Sequence, residues 1–268
     1  MLNDITLGQY FPINSILHRL DPRTKILLLI AFIAMIFIVT APVGYALLLG
    51  FTVFIMLLSK VPVKLYVKSL KPIWFIVLFT AVLNIFLTSG TYICQWGFLK
   101  ISREGIVLAV RMAVRLVMLI AASSVLTYTT SPIELTDGIE RLLSPFARLG
   151  LPAHDLAMMM SIAIRFIPTL IEETDKIIKA QQARGASFDT GSLLARARAM
   201  IPMLVPLFIS AFRRADELAV AMESRCYHGG AGRTRLKQIS FKKNDAYAAA
   251  VFAVIMLATL AASLLLRK

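Results

Sequence analysis

Long apolar runs separated by short charged ones set the pattern of this chain. Residues 26–56 are almost uninterrupted apolar sequence, broken at Ala41-Pro42-Val43-Gly44. A helix needs about 20 residues to cross a ~30 Å hydrocarbon core, so this run is too long for one span. Pro42 with Gly44 marks a turn, and the pattern predicts two helices, at 24–41 and 44–59. Further spans are predicted at 72–88, 104–128 and 246–266. Arg19, Arg23 and Lys25 precede the first span, and Lys60, Lys64, Lys68 and Lys71 lie between the second and third. Under the positive-inside rule both basic segments belong in the cytoplasm. Four spans then return the chain to the cytoplasm before Ser131, and the fifth leaves Arg267 and Lys268 outside, a small cost against the scheme.

Between the fourth and last spans the pattern turns amphipathic. Ser131-Pro132-Ile133-Glu134 reads as a helix start, with Ser at the N-cap, Pro at N1 and an acid at N3. Ile133, Leu135, Ile139, Leu142 and Leu143 form one apolar face, as in a helix lying along a bilayer surface. Residues 153–183 form a second helix, about 45 Å long at 1.5 Å per residue. Its first half is apolar but for Arg165, while its second half carries the i,i+4 pairs Glu172–Lys176 and Asp175–Lys179. That gradient describes a helix rooted at the membrane and projecting outward. A third helix starts near Thr190-Gly191-Ser192 and runs toward Tyr227, stopped by Gly229-Gly230. Pro202 and Pro206 each remove a backbone donor, so a kink or short break is expected there. The basic segment from Arg233 to Lys243 reads as a headgroup contact before the final span.

The two long helices end alike. One closes with Ala180-Gln181-Gln182-Ala183-Arg184-Gly185 and the other with Ala221-Met222-Glu223-Ser224-Arg225-Cys226. Each tip is small–Arg–small, so a guanidinium with five donors sits at a helix end narrow enough to enter a groove. Arg184 suits the negative helix end, and Gly185 suits a C′ stop. An acidic groove on each of two ATPase subunits would fit such tips.

Composition agrees with this division. Hydrophobic residues make up 58% of the chain, against roughly 45–50% in soluble domains. The net charge of +14 is read through topology and anionic lipid, not nucleic acid. Cys94 and Cys226 are too few and too dispersed for a disulfide framework or a metal site. The start, Met1-Leu2-Asn3-Asp4, lacks the basic region of a signal peptide.

Candidate chemistry is sparse. No phosphate-binding G-x-x-x-x-G-K-[ST] loop occurs, so ATP is not held by that device. His18, His154 and His228 are isolated, and Cys226 and His228, two residues apart, point to different helix faces. The spans carry few acids, which argues against a proton- or sodium-coupled carrier. Arg111 and Arg115, one turn apart in the fourth span, either contact another helix or a partner subunit or snorkel to phosphates. Asn84 in the third span reads as interhelical glue.

At these residues the chain resembles the transmembrane T component (EcfT) of energy-coupling factor (ECF) transporters. The resemblance covers nearly all of it. It rests on His18-Arg19-Leu20-Asp21-Pro22-Arg23-Thr24-Lys25, Thr129-Thr130-Ser131-Pro132-Ile133-Glu134-Leu135-Thr136-Asp137, Arg165-Phe166-Ile167-Pro168-Thr169-Leu170 and Gln181-Gln182-Ala183-Arg184-Gly185. Of the family's two Ala-Arg-Gly-like motifs the first is intact at Ala183-Arg184-Gly185, and the second departs to Ser224-Arg225-Cys226. The resemblance implies an all-α integral membrane protein with about five spans and cytoplasmic coupling helices. The divisions are 1–130 (N-terminal spans), 131–243 (coupling region) and 244–268 (last span). It also implies a non-catalytic, multi-pass subunit of a prokaryotic plasma membrane, with the N-terminus and coupling region cytoplasmic. Its partners would be two ABC-type ATPases, which bind the ATP and magnesium, and a membrane-embedded S component carrying a vitamin or other micronutrient. This chain would hold no cofactor and bind no nucleic acid. Five methionines (Met158, Met159, Met160, Met200, Met203) would suit a face that accepts different S components, or plain core and lipid contact. The competing expectation is a stand-alone channel or carrier with Arg111 and Arg115 lining an anion path. An intramembrane enzyme ranks third, for want of a residue set.

Overall fold

The computed structural model describes residues 10–96, 99–150, 152–186, 192–229 and 240–265. Nine α-helices are assigned among them: α1 Pro22–Ile38, α2 Pro42–Ser59, α3 Val63–Leu70, α4 Trp74–Leu87, α5 Arg103–Thr129, α6 Pro132–Leu143, α7 Ala153–Ala183, α8 Leu193–Ser224 and α9 Lys243–Leu265. An antiparallel hairpin of β1 (Tyr92–Trp96) and β2 (Leu99–Ser102) joins α4 to α5. The chain is an all-α membrane protein, as expected, and the hairpin and the short helix α3 are elements that were not anticipated. Five stretches are long and apolar enough to cross a membrane: Pro42–Ser59, Val63–Leu87, Arg103–Thr129, Ala153–Ala183 and Lys243–Ser263. The set differs from the expected one at two places. At 17 residues, α1 spans only about 26 Å, while the apolar first half of α7 brings that helix in.

Contacts divide the described residues into two units, one holding the end of α6, α7 and α8, the other the remaining elements. In the larger unit α5 packs against α1, α2, α3 and α4, and α9 against α1 and α2. Its core joins Phe32, Met35 and Ile36 of α1, Tyr45, Leu48 and Phe51 of α2, Met118 of α5 and Phe252 of α9. A second cluster holds Val61, Tyr66, Val125 and Tyr128, with the Tyr66 and Tyr128 rings edge to face at 5.4 Å. Gly105 lets α5 approach α4 closely, because a Cβ there would lie 2.8 Å from the Asn84 carbonyl oxygen. The Asn84 side chain itself donates to the Thr80 carbonyl at 2.8 Å, within its own helix, so its recorded bond is not the interhelical one expected.

Polar groups close this unit at the ends of its helices. Asp21 caps α1, accepting from the Arg23 backbone N–H at 2.9 Å and pairing with the Arg23 guanidinium at 3.0 Å. Lys25 Nζ donates to the Thr129 carbonyl at 2.8 Å and to Thr130 Oγ1 at 3.2 Å, placing a cation on the negative end of α5. The expected cap of α6 is present, Ser131 Oγ accepting from Glu134 N–H at 3.3 Å.

The basic segment between the second and third spans is a helix rather than a loop, with Lys64 and Lys68 on α3 and Lys71 at its C-cap. The helix α8 is assigned continuously through Pro202 and Pro206, with no break there. Several expectations lie outside the described residues: the Met1–Asp4 start, the Thr190-Gly191 helix start, the Gly230 stop, most of the basic segment after Arg233, and the terminal Arg267 and Lys268.

Candidate functional site

The tips of α7 and α8 carry the same backbone construction. At the end of α7, the Gly185 N–H bonds the Gln182 carbonyl at 2.9 Å and the Ala186 N–H reaches back to Gln181 at 3.0 Å. At the end of α8, the Cys226 N–H bonds Glu223 at 2.8 Å and the Tyr227 N–H reaches back to Met222 at 3.0 Å. Both are Schellman closures, in which the last carbonyls of the helix are taken up by two following amides. Arg184 and Arg225 occupy the equivalent C-cap positions, and Gly185 and Cys226 the left-handed position after them, with φ of +88° and +56°. The closure turns the chain sharply away. Ala183, Arg184 and Gly185 at one tip, and Ser224, Arg225 and Cys226 at the other, are all exposed. A guanidinium at a helix C-terminus is stabilised by the helix dipole and keeps its donors free for an anionic partner.

Two braces hold α7 against α8. Glu173 of α7 pairs with Arg214 of α8 at 3.0 Å and accepts from the Ser210 hydroxyl. Gln181 Nε2 donates to the Pro202 carbonyl at 3.2 Å. Moving from Glu173 to Gln181 up α7 is matched by moving from Ser210 to Pro202 down α8, so the helices run antiparallel over this stretch. The two arginines therefore do not lie side by side. From Pro202, level with the α7 tip, to Arg225 the helix advances about 35 Å at ~1.5 Å per residue. A partner engaging both tips needs two receptors that far apart, or must come as two bodies.

Arg111 and Arg115 belong to the other unit. The Arg115 guanidinium donates from Nη2 to Tyr45 Oη at 2.6 Å and lies 5.0 Å from the centre of the Phe37 ring. It thus ties α5 to the ends of α1 and α2 by a hydrogen bond and a cation–π contact. Arg111, one turn earlier, is half-buried.

Two contacts go beyond the sequence expectations. Asp245, near the start of α9, is buried and accepts from the Lys242 and Asp21 backbone N–H groups, both at 2.7 Å, pinning α9 to the start of α1. An acid three residues into a helix was the available signal. For the Gln181–Pro202 bond the signal was Pro206, which lacks the amide hydrogen that the Pro202 carbonyl takes in a regular helix.

The fold and the site define a polytopic helical membrane protein carrying a braced pair of long helices, each ended by an exposed arginine. No group of His, Cys, Asp and Glu suited to a metal occurs among the described residues. The model of the family described as CbiQ, cobalt transport protein, matches residues 13–236. Proteins named energy-coupling factor transporter transmembrane protein EcfT are similar over almost the whole chain. The one from Acidaminococcus fermentans is 56% identical over 246 residues, 92% of each chain. The one from Ruminiclostridium cellulolyticum is 56% identical over 256 residues, 96% of each. The one from Bacillus subtilis is 48% identical over 261 residues, 97% of this chain and 98% of its own. The chain belongs to this CbiQ/EcfT family.

Proposed function

We propose that this chain is the transmembrane coupling subunit of an ATP-driven ECF-type importer for vitamins or other micronutrients. The observation that carries the reading is the identical closure of α7 and α8, each with Arg at the C-cap and exposed. Two ABC-type ATPases would receive Arg184 and Arg225, one each, and would bind the ATP and magnesium. A separate membrane-embedded S component would bind the cargo. This chain would do no chemistry of its own.

The mechanism follows from the braces. Two ATPase subunits that change their separation in a nucleotide cycle apply opposite forces to tips about 35 Å apart. Because α7 and α8 are joined at Glu173–Arg214 and Gln181–Pro202, such forces load the pair as one unit instead of acting on either helix alone. The coupling region, 131–243, would lie in the cytoplasm with the N-terminus, between the spans of 1–130 and the last span of 244–268. The charged second half of α7, from Glu172 to Lys179, supports that placement although its first half is apolar enough for membrane. The anion-path alternative gains no support from Arg115, whose guanidinium is engaged with Tyr45.

The test is Arg184→Glu and Arg225→Glu in the assembled transporter. Each change should weaken co-purification of the ATPases and abolish uptake, since a carboxylate at the tip repels an acidic receptor. Full uptake by the double variant overturns the docking role. ATP-independent transport by the purified chain alone in liposomes would overturn the whole reading.

A further inference from the structure

We infer that Gln181 is a positioning residue that fixes the Arg184 tip to α8 through a carbonyl which Pro206 leaves free. The inference rests on the docking role proposed for Arg184 and adds to it the link by which force at that tip enters the second helix.

The argument starts from α-helical hydrogen bonding. A carbonyl at position i takes the N–H of position i+4, so the Pro202 carbonyl is due the amide of residue 206. Proline has no amide hydrogen, so that carbonyl loses its regular donor within its own helix. The helix nevertheless continues through this point. The missing donor comes from α7: Gln181 Nε2 lies 3.2 Å from the Pro202 carbonyl oxygen. A carbonyl only accepts, which fixes which end of the Gln181 amide faces it.

Gln181 has a second task in the same turn. Its own carbonyl accepts from the Arg184 N–H at 3.1 Å and from the Ala186 N–H at 3.0 Å, the bonds that shape the tip. One residue thus holds the Arg184 closure by its backbone and α8 by its side chain. Displacement of the tip by a docked partner is passed to α8 within three residues, before α7 can fray.

A double-mutant cycle in the intact transporter, reconstituted with its ATPases and S component, tests this. The readout is substrate taken up per ATP hydrolysed. Gln181→Ala should keep the ATPases bound yet lower that ratio roughly three- to tenfold, the range for one hydrogen bond. Pro206→Ala restores an amide that occupies the Pro202 carbonyl, so adding Gln181→Ala to it should lower the ratio no further. Gln181→Lys, which still donates, should recover much of the wild-type ratio, whereas Gln181→Glu, which presents an acceptor to an acceptor, should not. Equal losses from Gln181→Ala in both backgrounds, or no loss in the native one, overturn the inference; so does recovery by Glu equal to that by Lys. Arg184→Glu in the same preparation separates the two readings. If it assembles and transports normally, the docking role falls; if it fails while the cycle is additive, only the Gln181 link falls.

Discussion

Cys226 occupies a backbone position built for glycine, and replacing it should tighten the second tip. Its φ is +56°, while the equivalent residue of the first tip is Gly185 at +88°. A side chain in left-handed conformation costs about 1–2 kcal/mol, because Cβ crowds the neighbouring carbonyl. Glycine escapes that cost but loses more chain freedom on ordering, about 0.5–1 kcal/mol relative to alanine. Cys226→Gly should therefore stabilise the α8 closure by about 0.5–1 kcal/mol, or two- to fivefold in its local opening constant. The reverse change at the first tip is a matched control. Nothing lies within 4 Å of where a Gly185 Cβ would be, so Gly185→Ala alters backbone strain without a clash. It should loosen the α7 closure by a similar factor. Hydrogen exchange reads both, at the amides that close each tip: Cys226 and Tyr227 in one, Gly185 and Ala186 in the other. Protection at position 226 should rank Gly above Cys above Val, since a β-branched residue tolerates positive φ least. Unchanged or faster exchange in Cys226→Gly would refute the strain argument, as would a neutral Gly185→Ala.

Two further predictions concern the larger unit. Asp245→Ala removes the acceptor of two backbone amides in a buried setting and should destabilise the purified protein by about 2–4 kcal/mol, measured by thermal denaturation in detergent, with Asp245→Asn intermediate. His18 donates from Nε2 to the Phe11 carbonyl at 2.9 Å and shares a hydrogen bond between Nδ1 and the Ser15 hydroxyl, and burial, aided by the charge of Lys25, pushes its pKa below the ordinary 6.5. The unfolded state then binds more protons than the folded one, so this contribution is full above pH 6.5 and is lost as the pH falls below it. Amide protection of Phe11, whose N–H bonds the Tyr128 carbonyl, should drop between pH 7.5 and 5.5, and His18→Gln should abolish that dependence.

What the sequence disclosed and what it withheld divide by range. The spans were legible because burial in hydrocarbon imposes a composition on about 20 consecutive residues. The tips were legible because a helix closure is local, and small–Arg–small followed by a turn can be read within six positions. Even α3 was readable in principle: Lys60, Lys64, Lys68 and Lys71 are spaced four, four and three apart, the spacing of one helix face. The hairpin of β1 and β2 was not, since strands of five and four residues carry too little alternation to stand out beside apolar helices. The Asp245–Asp21 contact joins residues 224 positions apart, and no local pattern encodes such a partner. Pro206 lies between these cases. Read alone, a proline inside a helix announces only a lost bond, and a break is the natural expectation. The helix continues through Pro206 all the same, and the Pro202 carbonyl that loses its regular donor there accepts from Gln181 across the α7–α8 contact. The same residue that weakens α8 internally thereby adds an attachment to its neighbour beside the Glu173–Arg214 pair. In a subunit whose proposed task is to pass motion between helices, an exchange of an internal bond for an external one serves coupling directly.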